Sequence, residues 1–159
     1  MQWTEVASGY RFLEAPRVQG DALWFCDLLE GGLFRLNRDG STDSFLPGLT
    51  HIGGCAINHD GKLILSEEDG IGWFDPVTGQ TGLIVDSIEG KPFPGGNDMI
   101  PDGKGGLYFG TVASSGGNYE PGAAGTGLYR LAPDGTVTLQ QPDTNFANGC
   151  GLSPDGKTL

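Results

Sequence analysis

Positive charge is scarce in this chain: nine Lys and Arg stand against 20 Asp and Glu, a formal net charge of −11 over 159 residues. Nucleic-acid binding needs clustered Lys and Arg to neutralise phosphates, so that class of partner is excluded, and the balance favours cations. Most of the carboxylates keep the surface soluble; those at strand starts are the candidates for chemistry. Cysteine is sparse too. Cys26, Cys55 and Cys150 are odd in number and lack CxxC spacing, which indicates neither a disulfide framework nor a zinc site, and buried free thiols are expected. No apolar run is long enough for a transmembrane helix. Met1 leads into Gln2-Trp3-Thr4-Glu5-Val6, with neither a basic start nor an apolar stretch, so no signal peptide and no membrane partner are expected, and a cytoplasmic location is. Sustained helical periodicity is missing, as are a nucleophile elbow, a P-loop and HExxH.

Glycine and proline are plentiful instead, 29 and 10, and sit at turns between alternating apolar runs, the pattern of many short strands rather than disorder. The runs recur. A marked turn precedes Leu23-Trp24-Phe25, Leu63-Ile64-Leu65 and Leu107-Tyr108-Phe109, with the leading leucines 40 and 44 residues apart. A second strand follows in each copy: Gly32-Leu33-Phe34-Arg35-Leu36, Gly72-Trp73-Phe74-Asp75 and Gly127-Leu128-Tyr129-Arg130-Leu131. Repeats at about this period mark propeller blades or solenoids. The expected fold is all-β, a six-bladed β-propeller of which the chain holds about three blades and the start of a fourth. As one domain portion spanning 1–159, blade 1 runs from about 14 to 46, blade 2 from 51 to 85 and blade 3 from 96 to 140, with blade 4 starting near 148.

Three blades and a stub cannot close, because closed propellers use about four to eight. The chain is therefore expected to be the N-terminal part of a longer protein. Trp3 to Val6 alternate as a strand that would complete the last blade of a ring. An apolar face formed by Leu107, Phe109, Leu128 and Leu131 is expected to lie uncovered and to promote association. The longest irregular stretch, between Val112 and Thr126, is an insertion in blade 3, the kind of loop that is either a lid or a surface excursion.

In a propeller the innermost strands line a channel, so polar residues at their starts converge. Glu14, Asn97 and Asn148 each carry a side-chain oxygen just before an alternating strand, and carboxylate and amide oxygens suit a hard cation such as calcium. Asn-Asp and Asn-Gly pairs also make turns. His51 opens the equivalent segment of blade 2, either as a channel-lining hydrogen-bonding group or as a structural histidine.

Leu13-Glu14-Ala15-Pro16, Gly96-Asn97-Asp98-Met99, Gly106-Leu107-Tyr108-Phe109-Gly110-Thr111, Gly127-Leu128-Tyr129-Arg130-Leu131, and Asn148-Gly149 with Ser153-Pro154-Asp155-Gly156 together resemble the SMP-30/gluconolactonase/LRE-like family, in order and spacing, from Glu14 to the last residue. The resemblance implies one divalent cation, most often calcium, at the channel floor, and hydrolysis of a small-molecule sugar lactone. It assigns Glu14 and Asn148 as metal ligands and Asn97 as a contact for substrate or bound water and a further metal ligand. Glu120, in the insertion, takes the place of a substrate-contacting glutamate. The arginine expected two residues before the Asn-Asp pair is Gly95 here, so sugar binding is altered or supplied otherwise. The aspartate that completes the metal site and serves as general base is expected beyond Leu159, so no catalytic base is assigned within the chain and the chain alone is expected to be inactive. Two other readings stay open: a non-catalytic propeller scaffold, which needs no convergent Glu14, Asn97 and Asn148, and a related esterase of the organophosphate-hydrolase type.

Overall fold

One turn recurs through the chain and sets its strand order. Gly40, Gly61, Gly135 and Gly156 each donate a backbone N–H to the carbonyl three residues earlier, of Asn37, Asn58, Ala132 and Ser153. The residue before each glycine is an aspartate whose carboxylate accepts the N–H two positions on, from Ser41, Lys62, Thr136 and Lys157. Positive φ at the glycine and a self-bonding aspartate are what a tight reversal needs. The fold is given by a computed structural model that describes residues 2–112, 114–115, 118–119, 126–142, 144 and 146–159.

Among the described residues three four-stranded antiparallel sheets result, their strands in sequence order and each paired with the next member of its own sheet. The first holds β1 (Leu13–Gln19), β2 (Ala22–Asp27), β3 (Leu33–Leu36) and β4 (Thr42–Phe45). The second holds β5 (Gly54–Ile57), β6 (Leu63–Ser66), β7 (Ile71–Phe74) and β8 (Thr81–Val85). Between the second and third sheets a small hairpin pairs β9 (Ser87–Ile88) with β10 (Lys91–Pro92). The third sheet holds β11 (Gly96–Pro101), β12 (Leu107–Thr111), β15 (Gly127–Leu131) and β16 (Val137–Pro142). The segment expected to be irregular contributes another hairpin, β13 (Ser114–Ser115) with β14 (Asn118–Tyr119).

The period-2 alternation sends successive side chains to opposite faces, and the middle sheet uses both. Leu63, Leu65 and Phe74 pack with Trp24, Cys26 and Leu33 of the first sheet, while Ala56 and Ile71 pack with Met99, Leu107, Phe109 and Tyr129 of the third. This overturns the expected uncovered face. Leu107, Phe109 and Leu131 are buried against the second sheet, and only Leu128, on the opposite parity, faces away and is partly exposed. The far face of the first sheet is partly covered by Tyr10, whose ring meets Phe25 and Phe34 edge-on at 5.0 and 4.9 Å between centroids. Trp3 to Val6 form no strand: they have no ladder partner among the described residues, and Trp3 is 85% exposed. All three cysteines are free, Cys26 and Cys55 buried as expected and Cys150 only half-buried.

Asp27 ties the approach to β1 onto the end of β2. Its carboxylate, 2% exposed, accepts the backbone N–H groups of Arg11, Phe12, Leu29 and Glu30 at 2.8–3.2 Å. Burial pushes its pKa up, but the four amides outweigh that and hold it below the ordinary aspartate value. Asp27→Asn removes the charge and one of the two accepting oxygens, which leaves the Arg11 N–H without its acceptor, and is expected to cost about 2–3 kcal/mol. Because the folded-state pKa is depressed, the stabilisation is present above the unfolded value of about 3.9 and is lost as acid protonates the folded carboxylate. Urea titrations at neutral and acid pH check this: the gap between wild type and Asp27→Asn should close as pH falls below about 4.

Candidate functional site

The innermost strands of the first and third sheets carry the same irregularity. In β1 the register slips between Glu14, opposite Cys26, and Arg17, opposite Trp24. In β11 it slips between Gly96, opposite Thr111, and Met99, opposite Phe109. Each inner strand has one extra residue at this point, a bulge that breaks the alternation and re-aims side chains. The bulged residues are Ala15-Pro16 in one strand and Asn97-Asp98 in the other, beside the sites that the sequence singles out. Ala15 is 2% exposed and has φ of +53°, a left-handed conformation that costs a residue with a Cβ roughly 1–2 kcal/mol. Strain of this kind persists only where the surroundings enforce it.

β5 packs beside both β1 and β11. It meets β11 through Gly53 and Gly54, where an added Cβ on Gly54 would fall 2.5 Å from the Asn97 carbonyl oxygen. A Cβ on Gly53 would lie 3.1 Å from Asn97 Oδ1. The two glycines thus let the inner strands approach backbone to backbone at this spot.

Asn97 is 5% exposed and donates Nδ2 to the Ala147 carbonyl at 2.7 Å. Among the described residues no hydrogen bond is donated to its Oδ1, which leaves that amide oxygen available to bind. Asp98, beside it, accepts Arg17 Nη2 at 3.0 Å and the Met99 N–H at 2.8 Å on Oδ1, and the Gly149 and Cys150 N–H groups at 2.9 and 3.3 Å on Oδ2. Arg17 also donates to the Met99 carbonyl at 2.7 Å. Residues 97 and 98 therefore draw the 147–150 segment, with Asn148, to the end of β11 across some 50 residues of chain.

Glu14 is half-buried. Burial pushes its carboxyl above the ordinary glutamate range, the Ala15 N–H pulls it down, and the charge of Asp98 pushes it up again. Asn148 is exposed, and its Oδ1 accepts the N–H of Gly149 at 2.9 Å. His51, with φ of +61°, holds Nδ1 3.0 Å from Thr50 Oγ1 and 3.6 Å from Glu68 Oε2. Glu120 lies outside the described residues. The contributions of Arg17 and of the Asp98 carboxylate escape the sequence reading. The only signal for either is adjacency, Arg17 following Leu13-Glu14-Ala15-Pro16 and Asp98 following Asn97.

Among the described residues no three His, Cys, Asp or Glu side chains are grouped to hold a metal ion. The donors at this end are a carboxylate, two amide oxygens and the clamped Asp98, with Arg17 as the positive side chain paired there. Oxygen donors with a surplus of negative charge fit a hard divalent cation. Such an ion would offset the burial and like-charge repulsion that disfavour ionised Glu14.

A family profile described as "SMP-30/Gluconolactonase/LRE-like region" matches residues 13–159. A gluconolactonase of Zymomonas mobilis is 32% identical over 67% of this chain and 32% of its own length. Among solved structures, a gluconolactonase of Xanthomonas campestris superposes with a TM-score of 0.82 at 25% identity, over 96% of this chain and 54% of that one. A regucalcin of Agrobacterium tumefaciens, described as a calcium-binding protein, gives 0.78 at 25% identity, over 94% and 49%. The chain thus spans between about a third and just over half of the proteins it resembles. With its strands, its paired bulges and all but its first 12 residues inside the matched region, the chain belongs to the SMP-30/gluconolactonase/LRE-like family.

Proposed function

We propose that the chain forms part of a divalent-cation-dependent sugar-lactone hydrolase built as a six-bladed β-propeller, with its three sheets as successive blades and residues from about 148 opening a fourth. The observation that carries this is the matched pair of bulges, which sets Glu14 immediately before the bulge of one inner strand and the Asn97–Asp98 pair within the bulge of another. The gluconolactonases among its relatives support the reaction, and the calcium-binding regucalcin supports the ion.

Glu14, Asn97 and Asn148 would hold the cation. Once bound, it would polarise the lactone carbonyl and acidify a water, so that no covalent nucleophile is needed. Glu14 brings the negative charge, and the bulge at Ala15-Pro16 keeps that charge at the strand end. Asn97, with Nδ2 committed to Ala147, presents its oxygen in a fixed orientation toward the ion or a substrate hydroxyl. Glu120 is the further substrate contact in this reading. Proton abstraction from water falls to an aspartate outside these 159 residues, and for that reason hydrolysis by this chain alone is expected to be negligible.

Calorimetric titration of calcium chloride into the chain tests the site. One binding event is expected, weakened at least about tenfold by Glu14→Gln because ligand charge sets calcium affinity. Binding indifferent to Glu14→Gln would overturn the cation reading and leave a scaffold role. Appreciable turnover of gluconolactone by the chain with calcium would refute the assignment of the base elsewhere.

A further inference from the structure

The Gly149 N–H has two acceptors. It lies 2.9 Å from Asp98 Oδ2 and 2.9 Å from Asn148 Oδ1, a three-centre bond in which a buried carboxylate and an exposed amide share one proton. Every hydrogen-bond partner of Asp98 is a donor: Arg17 Nη2 and the Met99 N–H on one oxygen, the Gly149 and Cys150 N–H groups on the other. Arg17 is itself fixed by the Pro16 and Met99 carbonyls at 2.8 and 2.7 Å. The pair joins residues 81 apart in sequence, and its side chains are 26% and 12% exposed.

We infer that Asp98, braced by Arg17, is a positioning residue that frees the Asn148 oxygen for the cation. This rests on the cation reading above. If Asn148 Oδ1 turns toward an ion, it must give up the Gly149 N–H, and an N–H stripped of its acceptor costs free energy. Asp98 is already in place as the second acceptor, so the N–H stays bonded while Asn148 swings. The Cys150 N–H and the Asn97-to-Ala147 bond hold the segment on either side still, so only the Asn148 side chain has to move. Residues that orient metal ligands without touching the metal commonly change affinity by about 10–100-fold when replaced.

Calorimetry with calcium chloride on the wild-type chain, Asp98→Asn, Asn148→Ala and the double variant is the test. Asp98→Asn keeps the shape of the side chain but leaves one oxygen where two were used. It is expected to weaken calcium about tenfold in the wild-type background and less than about twofold once Asn148 is alanine, because no oxygen remains to be released. An equal loss in both backgrounds would mean that Asp98 is merely structural and would overturn the inference. Hydrogen exchange supplies a readout that needs no cation: the Gly149 and Cys150 amides should exchange slowly in the wild-type chain while Gly151 is unprotected, and Asp98→Asn should speed the first two at least about tenfold without changing the β12 amides. Gly149 exchanging as fast as Gly151 in the wild type overturns the clamp even if Asp98→Asn does not fold. A chain whose calcium binding is indifferent to Glu14→Gln yet shows the slow pair sinks the cation reading and keeps the clamp.

Discussion

Trp24→Ala is expected to destabilise the chain by about 3–5 kcal/mol, the usual cost of deleting a fully buried aromatic side chain. Trp24 is 0% exposed and stands at the seam of the first two sheets, in the cluster with Leu33, Ile52, Leu63 and Phe74. Phe45 packs at 5.4 Å between ring centroids, the Arg35 guanidinium lies 5.4 Å above the ring, and Nε1 donates to Gln19 Oε1 at 2.9 Å. The substitution removes the ring and its contacts together and leaves a cavity that sheets locked by their ladders cannot collapse to fill. Against the 5–15 kcal/mol or so that holds a typical domain, such a loss is a large share. Urea titration should show a lower midpoint with an unchanged slope. A midpoint close to that of wild type would show that the seam between the two sheets carries little of the stability.

Gly54→Ala is expected to cost about 3 kcal/mol and to weaken calcium binding, although it adds one methyl group. That methyl has no room: it would sit 2.5 Å from the Asn97 carbonyl oxygen, 3.1 Å from the Met99 nitrogen and 3.2 Å from the Asp98 carbonyl carbon. All three are backbone atoms, so β5 and β11 must part where Asn97 and Asp98 are positioned. Gly61→Ala is the control. Gly61 has φ of +87° with nothing within 4 Å of an added Cβ, so its cost is conformational, roughly 1–2 kcal/mol. Thermal unfolding and calcium calorimetry on the two variants separate the effects, with Gly61→Ala keeping wild-type affinity. Equal destabilisation, or unchanged calcium affinity in Gly54→Ala, would mean that the close approach of the inner strands does not shape the site.

The dependence of the site on these contacts explains which residues could be found from the sequence. Glu14, Asn97 and Asn148 can be proposed from the sequence because each stands at a recurring place in the repeat, just ahead of an alternating run. Arg17 and Asp98 cannot, since what matters about them is a contact spanning 81 residues that no local pattern encodes. The bulges were hidden for a related reason: one extra residue in a strand shows only against the partner it fails to match.

Local chemistry alone determined that this is an antiparallel all-β chain. Alternation in Leu23-Trp24-Phe25 and its counterparts selects strands, and aspartate followed by glycine at 39–40, 60–61, 134–135 and 155–156 reverses them, both through forces acting within a few residues. Which face of a strand is buried was beyond it. Alternation separates Leu107, Phe109 and Leu131 from Leu128 but does not say on which side the next sheet lies; packing against Ala56 and Ile71 decided that, and it buried the side expected to be bare. In the same way composition could name oxygen donors, while the meeting of β5 with β11 through Gly53 and Gly54, and the bond from Asp98 to the Asn148 turn, came only with the tertiary fold. Contacts between residues far apart in the chain depend on the whole set of packed sheets, and no single segment carries that information.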